Sequence, residues 1–141
     1  MTDEFARPDP SRLVQASLRL ITGQRRFIRV ATQKDAEILI QLLRWSNEMG
    51  ADKSYAVIFS EEFDKERASA GDPDVMRILT YGEAVGTLVK HGLLDRALVL
   101  DFWAVGLIWD LVGRAGVKSR EETGEPRMFE NFEALAKPQT V

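Results

Sequence analysis

The stretch from Asp95 to Gly113 constrains the fold most, because it is apolar on almost every side of a helical wheel. Its apolar members are Leu98, Val99, Leu100, Phe102, Trp103, Val105, Leu107, Ile108, Trp109, Leu111 and Val112. A helix of this kind is central to a fold, crosses a membrane or contacts two partners. Asp101 and Asp110 interrupt the run well short of the roughly 18 apolar residues of a membrane span. The stretch therefore predicts one central core helix and no membrane span.

A second long helix is predicted directly before this one. Asp72 can cap the free N–H groups of its first turn, and Pro73 suits the first helical position. Gly92 follows its last residue, where a left-handed backbone is common. One apolar face runs along the helix, formed by Val75, Ile78, Leu79, Gly82, Val85, Gly86 and Val89. With Asp95 as the cap of the next helix, residues 73–113 are predicted to form an antiparallel helical hairpin.

Two glycines lie within that apolar face, Gly82 and Gly86, four residues apart. A glycine in a helix interior costs about 1 kcal/mol relative to alanine. Close approach of another helix offsets such a cost. We therefore predict that Gly82 and Gly86 mark a tight packing contact.

The segments on either side of the hairpin predict shorter helices. Thr32 and Asp35 are spaced as in a capping box, and Arg44 with Glu48 is spaced for an ion pair on the helix that follows. Residues 54–67 are predicted to form another helix. After a helix break at residues 115–116, a short closing helix is expected to place its apolar residues on the core, namely Phe129, Phe132 and Leu135.

The predicted fold is an all-α bundle of five or six helices built on residues 73–113. The alternative is an α+β fold with a short two-stranded element, in which residues 25–30 pair with residues 55–59. Tyr55-Ala56-Val57-Ile58-Phe59 suits a strand as well as a helix, because β-branched and aromatic residues are enriched in strands.

Length and composition predict one domain at residues 11–137, preceded by a flexible arm at residues 1–10. The 141 residues include no cysteine and a single histidine, His91, and the net charge is −3. The absence of cysteine excludes disulfides and thiolate zinc sites and fits a reducing compartment. The acidic N-terminus does not resemble a signal peptide. We therefore expect a cytoplasmic protein.

The sequence contains no recognisable catalytic, phosphate-binding or metal-binding motif. No catalytic residue, metal or cofactor is predicted. Glu61, Glu62, Asp64 and Glu66 are interpreted as a solvated acidic face rather than a magnesium site. A weak basic patch consists of Arg19, Arg25, Arg26 and Arg29. The net negative charge argues against a nucleic-acid binder, so nucleic acid is not the expected partner.

The second half of the chain resembles a bacterial family of unknown function, number 4760. The resemblance covers roughly residues 75–136. It is carried by Tyr81-Gly82-Glu83, Gly92-Leu93-Leu94-Asp95, Trp109, Arg120 and Asn131-Phe132-Glu133-Ala134-Leu135-Ala136. The family has no established activity, so the resemblance implies a helical fold and transfers no catalytic role.

Four residues are candidates for a ligand site. The resemblance singles out Glu83, Trp109 and Arg120, and Asp101 is added because it lies in line with the apolar stripe of its predicted helix. An acid, an indole and a guanidinium can bind a polar ligand. They can also fasten the closing helix to the hairpin, which is the favoured interpretation, with Arg120 paired to Glu83, Asp101 or Glu133.

The favoured function is a non-enzymatic interaction module that self-associates, with a homodimer expected. The apolar faces of residues 96–113 and the surrounding aromatic residues exceed what one small bundle hides, and a symmetric dimer is the commonest way to cover such a surface. These aromatic residues are Tyr55, Phe59, Phe63, Phe129 and Phe132. The alternative is a small-ligand binder or enzyme with a pocket between helices lined by acids and arginine.

Overall fold

A computed structural model describes residues 30–138, and this part of the chain is all-α. Its helices are α1 (Gln33–Glu48), α2 (Ala51–Ile58), α3 (Pro73–Lys90), α4 (Arg96–Phe102), α5 (Val105–Thr123) and α6 (Glu130–Ala136). No strand occurs among these residues. Residues 31–138 belong to one compact unit. The all-α prediction is confirmed, whereas the domain limits at residues 10 and 137 stay predictions.

The α+β alternative is wrong at residues 55–59, where α2 occupies most of the proposed strand. The proposed partner strand, residues 25–30, lies outside the described residues except for Val30. Helix α2 is also shorter than predicted. It ends at Ile58 and does not continue to residue 67. Hydrogen-bonded turns connect it to α3 instead.

The capping box predicted at the start of α1 is present. Thr32 Oγ1 accepts a hydrogen bond from the Asp35 backbone N–H, and Asp35 Oδ2 accepts one from the Thr32 backbone N–H at 2.7 Å. Asp35 is fully buried, and its other oxygen accepts from the backbone N–H of Asp95 at 2.9 Å. This one carboxylate therefore ties the start of α1 to the cap of α4.

The other predicted caps are confirmed. Asp72 accepts hydrogen bonds from two backbone N–H groups of the first turn of α3, with Pro73 at the first helical position. Asp95 accepts from the Leu98 backbone N–H at the start of α4. Gly92 has a φ of 69° just after α3, in the left-handed region that glycine adopts without steric cost.

The long helix predicted from Asp95 to Gly113 is wrong, because α4 ends at Phe102 and α5 begins at Val105. Between them the Val105 N–H donates to the Trp103 carbonyl at 2.8 Å, and Ala104 has φ −75° and ψ 62°. These values are those of an inverse γ-turn. Residues 73–113 therefore form three helices and not a two-helix hairpin.

Packing of Trp103 accounts for the break. Its side chain is buried, and its indole Nε1 donates a hydrogen bond to Tyr55 Oη at 2.9 Å. It also stacks on Phe132, with ring centroids 5.3 Å apart. The tertiary contacts of this one side chain outweigh the helical preference of its neighbours. The predicted break at residues 115–116 is absent, and α5 continues to Thr123.

Gly82 and Gly86 mark the tight contact that their spacing predicts. A Cβ atom at Gly82 would overlap the Phe132 ring, and one at Gly86 would overlap the backbone of Asn131. Helix α6 therefore lies directly on α3. Phe129 and Leu135 are buried with Phe132, as predicted for the closing helix.

A run of aromatic rings passes through the middle of the bundle. Successive ring centroids lie 5.3 Å apart for Trp45 and Tyr81, 5.4 Å for Tyr81 and Trp103, and 5.3 Å for Trp103 and Phe132. Trp109 completes the run at 5.0 Å from Phe132. The buried Tyr81 hydroxyl donates to the Leu42 carbonyl at 3.2 Å. These contacts join α1, α3, α5 and α6 around one core.

We predict that Gly82→Ala lowers the free energy of unfolding by about 1–3 kcal/mol, because the added methyl group forces Phe132 out of its position. The matched control is Gly106→Ala in α5, where nothing lies within 4 Å of the added Cβ atom. That variant is expected to be neutral or to gain up to about 1 kcal/mol from helix propensity. Urea unfolding of both variants measures the difference, and equal effects would contradict the close contact.

We also predict that both tyrosines ionise at higher pH in the folded protein than in the unfolded chain. Burial raises the pKa of Tyr81 to about 12 from the ordinary 10.0, and burial also raises the pKa of Tyr55. The folded state therefore holds these protons more tightly, and stability falls as pH rises from 10 towards 12. These are the only two tyrosines in the sequence, so phenolate absorbance reports them directly. The urea-unfolded chain is the control, and native phenolate absorbance that rises at the same pH as in the unfolded chain would contradict this prediction.

Candidate functional site

Glu83 caps the closing helix α6 from a distance. Its Oε2 atom accepts hydrogen bonds from the backbone N–H groups of Asn131 and Phe132, at 3.0 and 2.9 Å. Phe129 occupies the cap position of α6 and has no side-chain acceptor to offer. A carboxylate of α3 therefore supplies the negative charge that a helix N-terminus favours.

Thr87, one turn after Glu83, extends this contact. Its hydroxyl donates to the Glu83 carbonyl at 2.7 Å and accepts from the Asn131 side-chain amide at 3.0 Å. The first turn of α6 is thus bonded to α3 through both backbone and side chain.

Arg120 holds the residue that leads into α6. Its Nε atom donates to the Met128 carbonyl at 2.8 Å, and its Nη1 atom lies 3.6 Å from a carboxylate oxygen of Glu133. Of the three acids that the sequence offered as partners for Arg120, the structure places Glu133 beside it. Both side chains are mostly buried. The pair is not bidentate, because the second terminal nitrogen of Arg120 has no hydrogen-bond partner among the described residues.

Trp109 contacts the same closing helix through its ring. The indole packs on Phe132 edge to face, and it occupies the space beside Gly113, where a Cβ atom would overlap it. Glu83, Trp109 and Arg120 therefore all contact residues 128–136, which we call the closing segment.

Asp101 is separate from these three residues. It was expected in line with Val105 and Ile108, but the break at Trp103 rotates it away from their stripe, and it is exposed near the end of α4. The predicted alignment of Asp101 with this apolar stripe is wrong, because it assumed one continuous helix. Glu83 and Arg120 bond backbone atoms of the closing segment and do not line a common cleft with Asp101.

The sequence analysis missed the role of Arg96. Its Nη2 atom donates to the carbonyls of Leu135 and Lys137, at 3.2 and 2.9 Å, and so caps the C-terminal end of α6. The sequence could have indicated caps from distant residues, because the closing helix has no capping residues of its own. Phe129 begins the helix without a capping side chain, and no glycine ends it.

A second feature lies in the first two helices of the described residues, where α1 meets α2. Ile40 and Leu43 of α1 and Tyr55 of α2 line a shallow open hollow of about 460 Å³. The Tyr55 ring stacks on Phe59, with centroids 6.3 Å apart. Ile40, Leu43 and Phe59 are 54%, 41% and 48% exposed. We call Ile40, Leu43, Tyr55 and Phe59 the α1–α2 surface.

Opposite charges stand at the edge of this hollow. Arg44 and Asp52 both line it, and both are exposed. The ion pair predicted between Arg44 and Glu48 does not form. Among residues 30–138, neither Arg44 nor Asp52 has an ion-pair partner. Polar groups of Ser46 and Asn47 complete the edge.

The acidic loop before α3 is used in contacts with α5. Glu66 pairs with Arg114, and Lys65 pairs with Asp110 at 3.0 Å. Within the described range, no three acidic or histidine side chains are grouped so as to hold a metal ion. The basic patch of Arg19, Arg25, Arg26 and Arg29 lies outside the described residues.

We predict that Glu83→Ala and Arg120→Ala each lower the free energy of unfolding by about 1.5–3 kcal/mol. Either change leaves partly buried groups of the closing segment without a charged hydrogen-bond partner. Hydrogen exchange should also show faster exchange at the backbone amides of residues 128–136 than in the unsubstituted protein.

The matched control for both variants is Asp101→Ala, which removes an exposed carboxylate and should change stability by less than about 0.5 kcal/mol. If Glu83→Ala and Arg120→Ala melt at the wild-type temperature, and the amides of residues 128–136 keep their protection from hydrogen exchange, these side chains do not hold the closing segment in place. A ligand role would then be the better explanation.

No helix within residues 30–138 is both long enough and apolar enough to cross a membrane.

Comparison of the sequence with known proteins identifies a family. No curated protein and no solved structure matches the chain. The sequence profile of the domain of unknown function DUF4760 matches residues 14–138. This match confirms the resemblance seen at residues 75–136 and extends it towards the N-terminus. The chain therefore belongs to the DUF4760 family.

Proposed function

We propose that this protein is a non-enzymatic interaction module that associates with a second copy of itself through the α1–α2 surface. The observation that carries the proposal is the exposure of Ile40 and Leu43 in one open hollow, beside the exposed Phe59 ring that stacks on Tyr55. Contiguous exposed apolar groups on a small domain mark a surface that another molecule covers.

Burial of this surface supplies a driving force. Apolar surface removed from water contributes about 25 cal/mol per Å². A stable interface buries about 800 Å² on each partner, which is more than these side chains alone present. A dimer centred on the hollow therefore also covers polar neighbours on α1 and α2, in the usual arrangement of an apolar centre and a polar rim.

The support for self-association differs from what the sequence suggested. Phe129 and Phe132 were expected to add to the excess of apolar surface, but both are buried within the chain. Exposed apolar side chains remain on α4 and α5, namely Leu100, Phe102, Leu107 and Val117. The α1–α2 surface is the stronger candidate, because Ile40, Leu43 and Tyr55 line a common hollow and Phe59 stacks on Tyr55.

The alternative of a ligand pocket lined by acids and arginine draws no support from the geometry. Glu83 and Arg120 already bond the closing segment, and Asp101 lies apart from both. We also propose a cytoplasmic location, which the absence of cysteine supports.

We predict a dimer at tens of micromolar by sedimentation velocity and light scattering, and a monomer for Leu43→Asp. The substitution places a carboxylate in the apolar centre of the interface, where an unpaired charge is costly to desolvate. Because Leu43 is exposed in the single chain, Leu43→Asp should keep the wild-type circular dichroism spectrum.

Leu93→Asp is the matched control, because Leu93 is similarly exposed but lies in the turn between α3 and α4. It should remain a dimer. A monomeric wild-type protein at these concentrations would refute the proposal, and a dimer that survives Leu43→Asp would place the interface elsewhere.

A further inference from the structure

We infer that two copies associate about a two-fold axis at the α1–α2 surface, with Arg44 of each copy paired to Asp52 of the other. This inference rests on the proposed self-association and adds the electrostatic rule that selects the partner. Its basis is the hollow itself, which has a cation and an anion on its edge and apolar side chains at its centre.

Neither charge has a partner within the described chain. Arg44 is on α1 and Asp52 is in the first turn of α2, and both line the hollow without an ion pair between them. Some opposite charges elsewhere on the described surface pair within the chain, as Lys65 does with Asp110, whereas Arg44 and Asp52 remain available to a partner. The negative charge of Asp52 also interacts favourably with the N-terminus of α2. That interaction leaves Arg44 without a partner of opposite charge.

Two-fold symmetry makes these two charges complementary to themselves. In a symmetric dimer, if residue i of one copy contacts residue j of the other, then j also contacts i. A surface with one positive and one negative side chain therefore forms two ion pairs at once. These pairs flank the apolar centre that Ile40 and Leu43 provide, and so fix the orientation of the two copies.

The same charges argue against other kinds of partner. Nucleic acid and anionic membranes are recognised by surfaces that are mainly basic. The edge of this hollow has one charge of each sign, so it has no net charge to offer such a partner. A second copy of the chain provides a partner of opposite charge for both Arg44 and Asp52.

The test uses charge reversal on the full chain. Arg44→Asp places two acids opposite each other in a homodimer, and Asp52→Arg places two cations opposite each other. Each single variant should raise the dimer Kd at least tenfold, because like charges at an interface repel. The double variant R44D/D52R restores opposite charges and should self-associate with nearly the wild-type Kd.

Mixing the two single variants is the decisive measurement. In a heterodimer of Arg44→Asp with Asp52→Arg, the two introduced side chains face each other and have opposite charges. At the second contact, the unchanged Asp52 of the first variant faces the unchanged Arg44 of the second, so both contacts attract. An equimolar mixture should therefore form heterodimers with nearly the wild-type Kd, although neither variant self-associates strongly. The double variant should not pair with the wild-type chain, because both of its contacts would then be between like charges.

Glu122→Lys is the control, since Glu122 is an exposed acid in the last turn of α5 and does not line the hollow. It should leave the dimer Kd within about twofold of wild type, because its charge lies outside the contact. All the substituted side chains are exposed, so circular dichroism should show wild-type helix content in each variant.

The outcomes separate this inference from the function on which it rests. If the wild-type chain dimerises and Leu43→Asp disrupts the dimer, but the mixed single variants stay monomeric, the ion-pair arrangement is wrong and self-association stands. Wild-type affinity in either single variant also overturns the arrangement. A wild-type chain that is monomeric removes both.

Discussion

The close approach of Phe132 to Gly82 is the contact on which the rest of the described structure depends. It brings the first turn of α6 so near to α3 that the backbone N–H groups of Asn131 and Phe132 reach the Glu83 carboxylate. A side chain at position 82 would separate the two helices and break these hydrogen bonds. A seven-residue helix without a local cap is marginal by itself. Helix α6 is therefore stabilised by its contacts with α3 rather than by its own sequence.

Structural features that depend on residues close to each other in the sequence were predictable from it. The caps at Asp72 and Asp95 depend on side chains and backbone groups within a few residues, and so does the left-handed turn at Gly92. The break after α4 was not predictable in this way. It results from Trp103, whose partners Tyr55 and Phe132 are distant in sequence. Patterns of hydrophobic spacing describe one helix at a time and contain no information about such partners.

The candidate site shows the same division. Glu83, Trp109 and Arg120 were correctly grouped around the closing segment, although Glu83 was not identified as a helix cap. Asp101 was misplaced by a single error, because an assumed continuous helix assigns every later residue to the wrong face. The hollow between α1 and α2 depends on the angle of the two helices at Gly50, which has a φ of 75°. No periodicity within either helix indicates that angle.

The aromatic run at the centre of the bundle has an optical consequence. All three tryptophans of the sequence belong to it, and Tyr81 and Phe132 link them. Through these rings and the hydrogen bond of Trp103 to Tyr55, the run touches α1, α2, α3, α5 and α6, and Trp103 directly follows α4. Each indole packs against an aromatic ring from another part of the chain, so its emission reports the packing of more than one helix. Intrinsic fluorescence of this chain is one collective signal, and detachment of any described helix alters the environment in which it arises.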